Sequence, residues 1–229
     1  MSFEWITFDC YGTLIDWEEG ILKAIEPFLI RAGLSYNPQE ILSLYGRLES
    51  EAEKEWRLYR QVLQEVGKAL AKHLGFELLP GEEDFLVKSL PSWRPFSEVN
   101  SVLLSLREQG LSLAIISNID QDLIAASLKH FTVSFQAVIT AEEARCYKPG
   151  RAIFEMALRH LGVSKEKILH VGQSLFHDIA PAKKLGLRTV WVRRPGRDPF
   201  GATPPAEARP DWTISDLEGL LNLLQNELG

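Results

Sequence analysis

Asp9 closes a short apolar run, residues 5–8, and Gly12 and Thr13 follow within four positions. Other polar groups stand in the same relation to other apolar runs. Ser117 and Asn118 follow residues 111–116. Lys148, with Pro149 after it, lies a short loop beyond residues 137–139. Gln173, His177 and Asp178 follow residues 168–171. Two carboxylates, a hydroxyl, an amide and a lysine are the ingredients of nucleophilic, proton-transfer or anion-binding chemistry. One aspartate after a strand is most often a turn or capping residue; a polar group after each of four strands, in order, is hard to ascribe to turns alone.

The runs themselves have the marks of buried strands. They are short, rich in β-branched and aromatic residues, and end at polar or glycine positions. A fifth is residues 189–192. Amphipathic segments lie between them at 99–108, 123–129, 152–161 and 179–185, the last two stopped by Gly162 and Gly186, the usual helix stop. From about residue 97 the chain alternates helix and strand. That pattern predicts an α/β fold, a Rossmann-like parallel sheet with helices on both faces. Ligands of such sheets bind beyond the carboxyl ends of the strands, where the polar groups fall.

Residues 16–90 break the alternation. They read as helical throughout, with one continuous helical pattern from residue 50 to 73, and their exit is marked by Pro91 and Pro95. The expected organisation is a core of residues 1–15 and 91–229 with an all-helical cap at 16–90. Residues 193–212, with five prolines, read as a surface loop, and 216–228 as a closing helix.

The whole chain has 229 residues, 45% hydrophobic, and a net charge of −6. The acidic balance argues against a nucleic-acid partner, which needs a basic surface. No apolar run approaches the ~20 residues of a membrane span, so no membrane is expected. The N-terminus does not read as a signal peptide, and two cysteines suit a cytoplasmic enzyme. Residues 16–90 hold 14 Asp/Glu against 9 Lys/Arg, and the expectation is that this acid lies on the cap's outer, solvated face.

The motifs resemble those of the haloacid dehalogenase superfamily. Phe8-Asp9-Cys10-Tyr11-Gly12-Thr13-Leu14 resembles its first motif, Ile116-Ser117-Asn118 its second, Tyr147-Lys148-Pro149 its third, and residues 172–178 occupy the place of the fourth. The helical insertion stands where the superfamily places its cap. The resemblance implies that Asp9 is a nucleophile that forms a covalent ester. Lys148 would keep Asp9 ionised and anchor an anionic substrate. Ser117 and Asn118 would offer donors to a carboxylate, phosphate or departing halide, and the Tyr11-Gly12-Thr13 turn a nest of backbone N–H groups.

Phosphatases of the superfamily carry a second aspartate two residues after the nucleophile, as general acid. Here that position is Tyr11, a poor proton donor at neutral pH. Tyr11 and Asp16 resemble the L-2-haloacid dehalogenase branch, whose halide leaves without a proton. The implied reaction turns a short (S)-2-haloacid into the inverted 2-hydroxy acid, with water activated near Asp178 and no cofactor. Substrate-binding candidates are Tyr11, Gly12, Thr13, Asn118, Gln173, His177 and, from the cap, Arg47. Two other readings are carried. One is a phosphatase acting on a small phosphorylated metabolite, with magnesium on Asp9, Asp178 and the Tyr11 carbonyl. The other is a non-catalytic regulator, against which the retained Asp9, Ser117 and Lys148 argue. A homodimer is compatible with the sequence. The chain departs from the dehalogenase branch at Gln173, Leu175 and Phe154, where Ser, Asn and Tyr are usual. Cys10 and Cys146 read as small buried residues, and Trp17, Trp56 and Trp93 as cap or core packing, with Trp17, just past the first motif, within reach of the substrate.

Overall fold

A strand covered on both faces must be apolar on both. β1 (Trp5–Phe8) is Trp-Ile-Thr-Phe, with all but Trp5 buried. The structure, a computed structural model, describes residues 3–197 and 206–227. After β1 come α1 (Trp17–Ala32), α2 (Pro38–Ala52), α3 (Tyr59–Leu74) and the short α4 (Phe85–Ser89). Then α5 (Val99–Glu108), β2 (Ser112–Ser117), α6 (Gln121–Leu128), β3 (Ala137–Thr140), the single turn α7 (Ala141–Ala144) and α8 (Arg151–Leu161) follow. The chain closes with β4 (Ile168–Gly172), a π-turn at Leu175–Ile179, α9 (Ala180–Lys184), β5 (Arg188–Val192), β6 (Trp212–Ile214) and α10 (Glu218–Glu227).

The six strands form one sheet in the order β3-β2-β1-β4-β5-β6, every neighbouring pair parallel. The order reverses at β1, so successive connections leave it on opposite sides and open a crevice beyond its end. Register makes that end level: Phe8 lies opposite Ile115 of β2 and Val171 of β4. Asp9 N–H continues the ladder onto Val171 O at 3.0 Å. The expected α/β architecture is therefore the observed one.

Helices α1 to α4 are inserted between β1 and β2. The chain's outgoing and returning strands at this insertion are tied together: Asp16 N–H donates to Arg94 O at 2.9 Å and Phe96 N–H to Leu14 O at 3.1 Å. The Asp16 side chain caps α1, accepting from Glu19 N–H at 3.1 Å, and Gly33 ends it in the left-handed conformation. Buried residues of α1, α2 and α3 join those of β1 and β2 in one apolar cluster.

Three expectations change. The pattern at 50–73 is two helices rather than one, because Asp120, on the loop after β2, takes the N–H groups of Tyr59 and Arg60 at 2.7 and 2.9 Å. A carboxylate at that point caps α3 and stops α2 short of it. The region read as loop and last helix also holds β6, only three residues long. Asp211 stitches it in place, accepting from Thr189 N–H at 2.9 Å, Lys183 at 2.8 Å and Arg188 at 2.8 Å. Residues 198–205 of the expected loop, and Leu228, lie outside the described residues. Finally, Cys10 is buried but Cys146 is only partly so, and both are free thiols. Among the described residues no helix is long and apolar enough to cross a membrane.

Candidate active site

The turn after β1 is tight. Leu14 and Ile15 N–H both donate to Cys10 O, at 2.8 and 2.9 Å, and Gly12 N–H donates to Ile15 O at 2.8 Å. Gly12 has φ +99°, and a Cβ there would lie 3.0 Å from both Gln173 Oε1 and Trp17 Nε1; only glycine fits. The turn brings the Thr13 hydroxyl back to Asp9, donating to Oδ2 at 2.8 Å. Thr13 Oγ1 in turn accepts from Gln173 N–H at 2.9 Å, which ties the ends of β1 and β4 together.

Lys148 arrives from the loop after α7. Its backbone is clamped by Asn118: Lys148 N–H donates to Asn118 Oδ1 at 2.6 Å, and Asn118 Nδ2 donates to Lys148 O at 3.1 Å. The ammonium, wholly buried, spends its three protons on Asp9 Oδ1 at 2.7 Å, Asp178 Oδ1 at 2.8 Å and Ile116 O at 2.9 Å. Asp178 Oδ2 accepts from Ser174 N–H at 3.1 Å. Behind it, His170 Nε2 stands 3.9 Å from Asp178 Oδ1, with its Nδ1 on Thr7 Oγ1 at 2.9 Å. Gly172 leaves room for this carboxylate, since a Cβ there would fall 2.5 Å from Asp178 Cβ.

Burial raises the Asp9 carboxyl from its ordinary value, with the Lys148 charge pulling the other way and Asp178 adding to the rise. Burial acts likewise on Asp178, but Lys148 and His170 outweigh it and hold this acid well below the carboxylate range. The two carboxylates outweigh the desolvation of Lys148 and keep it protonated. His177 is pushed down to about 4 by burial, so its ring is neutral at neutral pH.

Asp9, Tyr11, Ser117, Asn118, Lys148, Gln173, His177 and Asp178 line one cavity of about 630 Å³, open mouth included, whose far wall comes from the inserted helices. Trp17 and Trp93, read mainly as packing residues, line it too. Tyr11 turns its hydroxyl onto Ser127 Oγ at 2.8 Å and its ring edge-on to Trp93, so it is a wall and not a proton donor to Asp9's partner.

Three candidates fall outside. Arg47 is exposed and lines a different, shallow depression with Asn37 and Ser43. On α2 it is two residues from both Tyr45 and Glu49, which face the cavity, and two residues are about 200° of helix turn. Gly12 sits in a neighbouring cleft with Trp17 and Arg194, its N–H spent on Ile15 O, so the turn is no open anion nest there. Thr13 is fully buried and serves Asp9, not the cavity.

Sequence reasoning also missed residues the cavity contains. Ser174 caps the π-turn, accepting from His177 N–H at 3.0 Å. Tyr45, Glu49 and Glu53 line the cavity from α2 and its end, and Tyr59 from α3. The first three recur every fourth residue, a single helical stripe, and that spacing was the available signal. The expectation that the insertion's acid faces outward holds for most of it, since Glu19, Glu26, Glu40, Glu51, Glu55, Glu65, Glu77 and Glu83 are exposed, but fails for Glu49 and Glu53, which face the cavity; the expected cap arginine is not among the described residues that line it.

As for a divalent cation, the core supplies two carboxylates, and the Oδ1 atoms of both are held by one ammonium. Gln173 stands where a further acid would be needed, and among the described residues no three His, Cys, Asp or Glu side chains group around a metal position. The set fits such an ion poorly.

The parallel sheet, with a lysine-paired aspartate in its switch-point crevice under a helical insertion, defines a Rossmann-like α/β protein with one candidate site. The family model of haloacid dehalogenase-like hydrolases matches residues 6–192. The chain belongs to that family. It is 28% identical to the (S)-2-haloacid dehalogenase of Pseudomonas sp. (strain YL), over 98% of this chain and 95% of that one. A glyceraldehyde 3-phosphate phosphatase of Methanothermobacter thermautotrophicus is 31% identical over 61% of this chain and 68% of that one. Among solved structures, the L-2-haloacid dehalogenase of Xanthobacter autotrophicus with chloropropionic acid covalently bound superposes with a TM-score of 0.82 at 20% identity, covering 98% of this chain and 99% of that one.

Proposed function

We propose that the enzyme removes halide from a small 2-haloacid through an ester on Asp9, without a metal. The observation that carries this reading is Tyr11. The position beside the nucleophile holds a phenol bonded to Ser127, so nothing there protonates a leaving alkoxide, and a halide needs no proton. Losing such an acid would cost a phosphatase about 10²–10⁴ in rate.

In the first step Asp9 Oδ attacks C2, the C–O bond forms, and the C–halogen bond breaks with its electron pair leaving on the halide. Lys148 holds the carboxylate in place and ionised. In the second step water attacks the ester carbonyl of Asp9. Both oxygens of Asp178 are already bonded, Oδ1 to Lys148 and Oδ2 to Ser174 N–H, which marks it as the counter-ion that holds Lys148. Neutral His177, on the same cavity, takes the water proton; the acyl C–O bond to Asp9 then breaks, and His177 returns that proton to the departing alkoxide. The product is the 2-hydroxy acid with inverted C2, carrying an oxygen from Asp9. The helical insertion acts as the cap that excludes bulk water.

The test measures halide release from each enantiomer of 2-chloropropanoate and p-nitrophenol release from its phosphate ester, both with magnesium and with chelator. Halide release that survives the chelator is expected. Phosphate ester hydrolysis that needs magnesium, with no halide release, would replace this reading by the phosphatase one.

A further inference from the structure

The cavity wall opposite Asp9 is acidic and aromatic. Glu49 accepts hydrogen bonds from the hydroxyls of Tyr45, at 2.9 Å, and Tyr59, and this network, joining α2 to α3, accounts for its presence. Nothing comparable accounts for Glu53. Its carboxylate lines the cavity, and among the described residues it has no hydrogen-bond or ion-pair partner; burial and the neighbouring Glu49 act unfavourably on its charge and outweigh the attraction of the Lys148 ammonium. The nearby cations are spent elsewhere: Lys54 on Glu51, Arg57 on Glu65, Arg60 on Asp120 and Asp122. Arg47 faces away. The single cation of the cavity, Lys148, is saturated by Asp9, Asp178 and Ile116 O.

A half-buried carboxylate without a hydrogen-bond or ion-pair partner is stabilised when a counter-charge arrives. Trp17 and Trp93 line the same cavity, and with Tyr45 and Tyr59 they supply ring faces of the kind that attract ammonium groups. The acids are not a surface cluster: they form one wall of the cavity whose other wall is the nucleophile. A plain 2-haloalkanoate would bring only a further negative charge to this wall.

We infer that Glu49 and Glu53 bind a cationic group of the substrate, so that the preferred substrate is a small molecule with an ammonium a few bonds beyond the reacting carbon, for example an amino-substituted 2-haloacid. This rests on the reading of Asp9 as the reacting group but is tested without it. Non-reacting probes with the same four-carbon chain, 4-aminobutanoate and butanoate, differ by the ammonium that replaces one terminal hydrogen. Their binding to the full-length enzyme is measured by calorimetry and by quenching of tryptophan fluorescence.

The wild type should bind 4-aminobutanoate at least tenfold more tightly than butanoate. E53Q should cut that ratio several-fold and E49Q/E53Q should abolish it, with butanoate binding improved. E49Q keeps an acceptor for Tyr45 and Tyr59, and circular dichroism and thermal unfolding show which variants are folded. Should E49Q/E53Q fail to fold, E53Q alone decides. Tighter butanoate binding by the wild type, or an unchanged ratio in a folded E53Q, overturns the inference. Failure of the ester mechanism would appear only as absence of turnover and would leave the binding ratio intact.

Discussion

Replacing Lys148 by Met should make stability fall more steeply as pH rises. The ammonium separates two buried carboxylates, 2.7 Å from Asp9 Oδ1 and 2.8 Å from Asp178 Oδ1. Those oxygens are thus within roughly 5.5 Å of each other, where two like charges repel by about 3 kcal/mol at an effective dielectric of ~20. Without the lysine one carboxyl should therefore bind a proton about two pH units higher than usual. In the wild type, Asp178 titrates below its unfolded value, so its contribution is present above about pH 4 and is lost only as pH falls through the lowered value. In Lys148→Met the folded value is raised, the folded state binds more protons, and stability falls as pH rises. Urea unfolding at pH 5 and pH 8 measures this. The variant should lose about 3–5 kcal/mol at pH 8, as when a buried ion pair loses one partner, and clearly less at pH 5. Equal losses at both pH values would refute the account of the three-charge cluster.

Other changes follow from the same geometry. Thr13→Val removes the donor to Asp9 Oδ2 and the acceptor for Gln173 N–H; it should cost about 1–3 kcal/mol in denaturant unfolding and slow ester formation in a rapid-quench assay. Gly172→Ala places a methyl 2.5 Å from Asp178 Cβ, and halide release should fall by at least tenfold as Asp178 is pushed off Lys148. Arg47→Ala should change kcat/KM less than about twofold, because the side chain is exposed and outside the cavity; surface changes of this kind are usually within about 0.5 kcal/mol.

Five of the six strands and the polar groups at their ends were legible in the sequence, because buried parallel strands are continuous apolar runs and each ends where the chain turns to solvent. β6 was not, since a three-residue, partly exposed strand after a proline-rich stretch carries no period. The break between α2 and α3 was hidden for a different reason: Asp120, some sixty positions away, imposes it. Asp9 announces itself as the polar residue that ends an apolar run, whereas Lys148 and Asp178 stand among other polar residues and are picked out by the motifs around them. Glu49 and Glu53 did not, because in a helical segment with 14 acids a glutamate facing inward resembles one facing water. Only the stripe Tyr45-Glu49-Glu53 sets them apart. Arg47 follows only from the resemblance to a family with a cap arginine, and helix geometry turns it away from the cavity.

The central claim is that Asp9 becomes covalently esterified and is regenerated by water. A single turnover with enzyme in excess over 2-chloropropanoate, run in ¹⁸O-water, tests it directly. The peptide containing Asp9 is then weighed by mass spectrometry together with the product. The account predicts ¹⁸O in the Asp9 carboxylate and an unlabelled 2-hydroxy acid. Label in the product with none on Asp9 would mean that water attacks the substrate itself, and would contradict it.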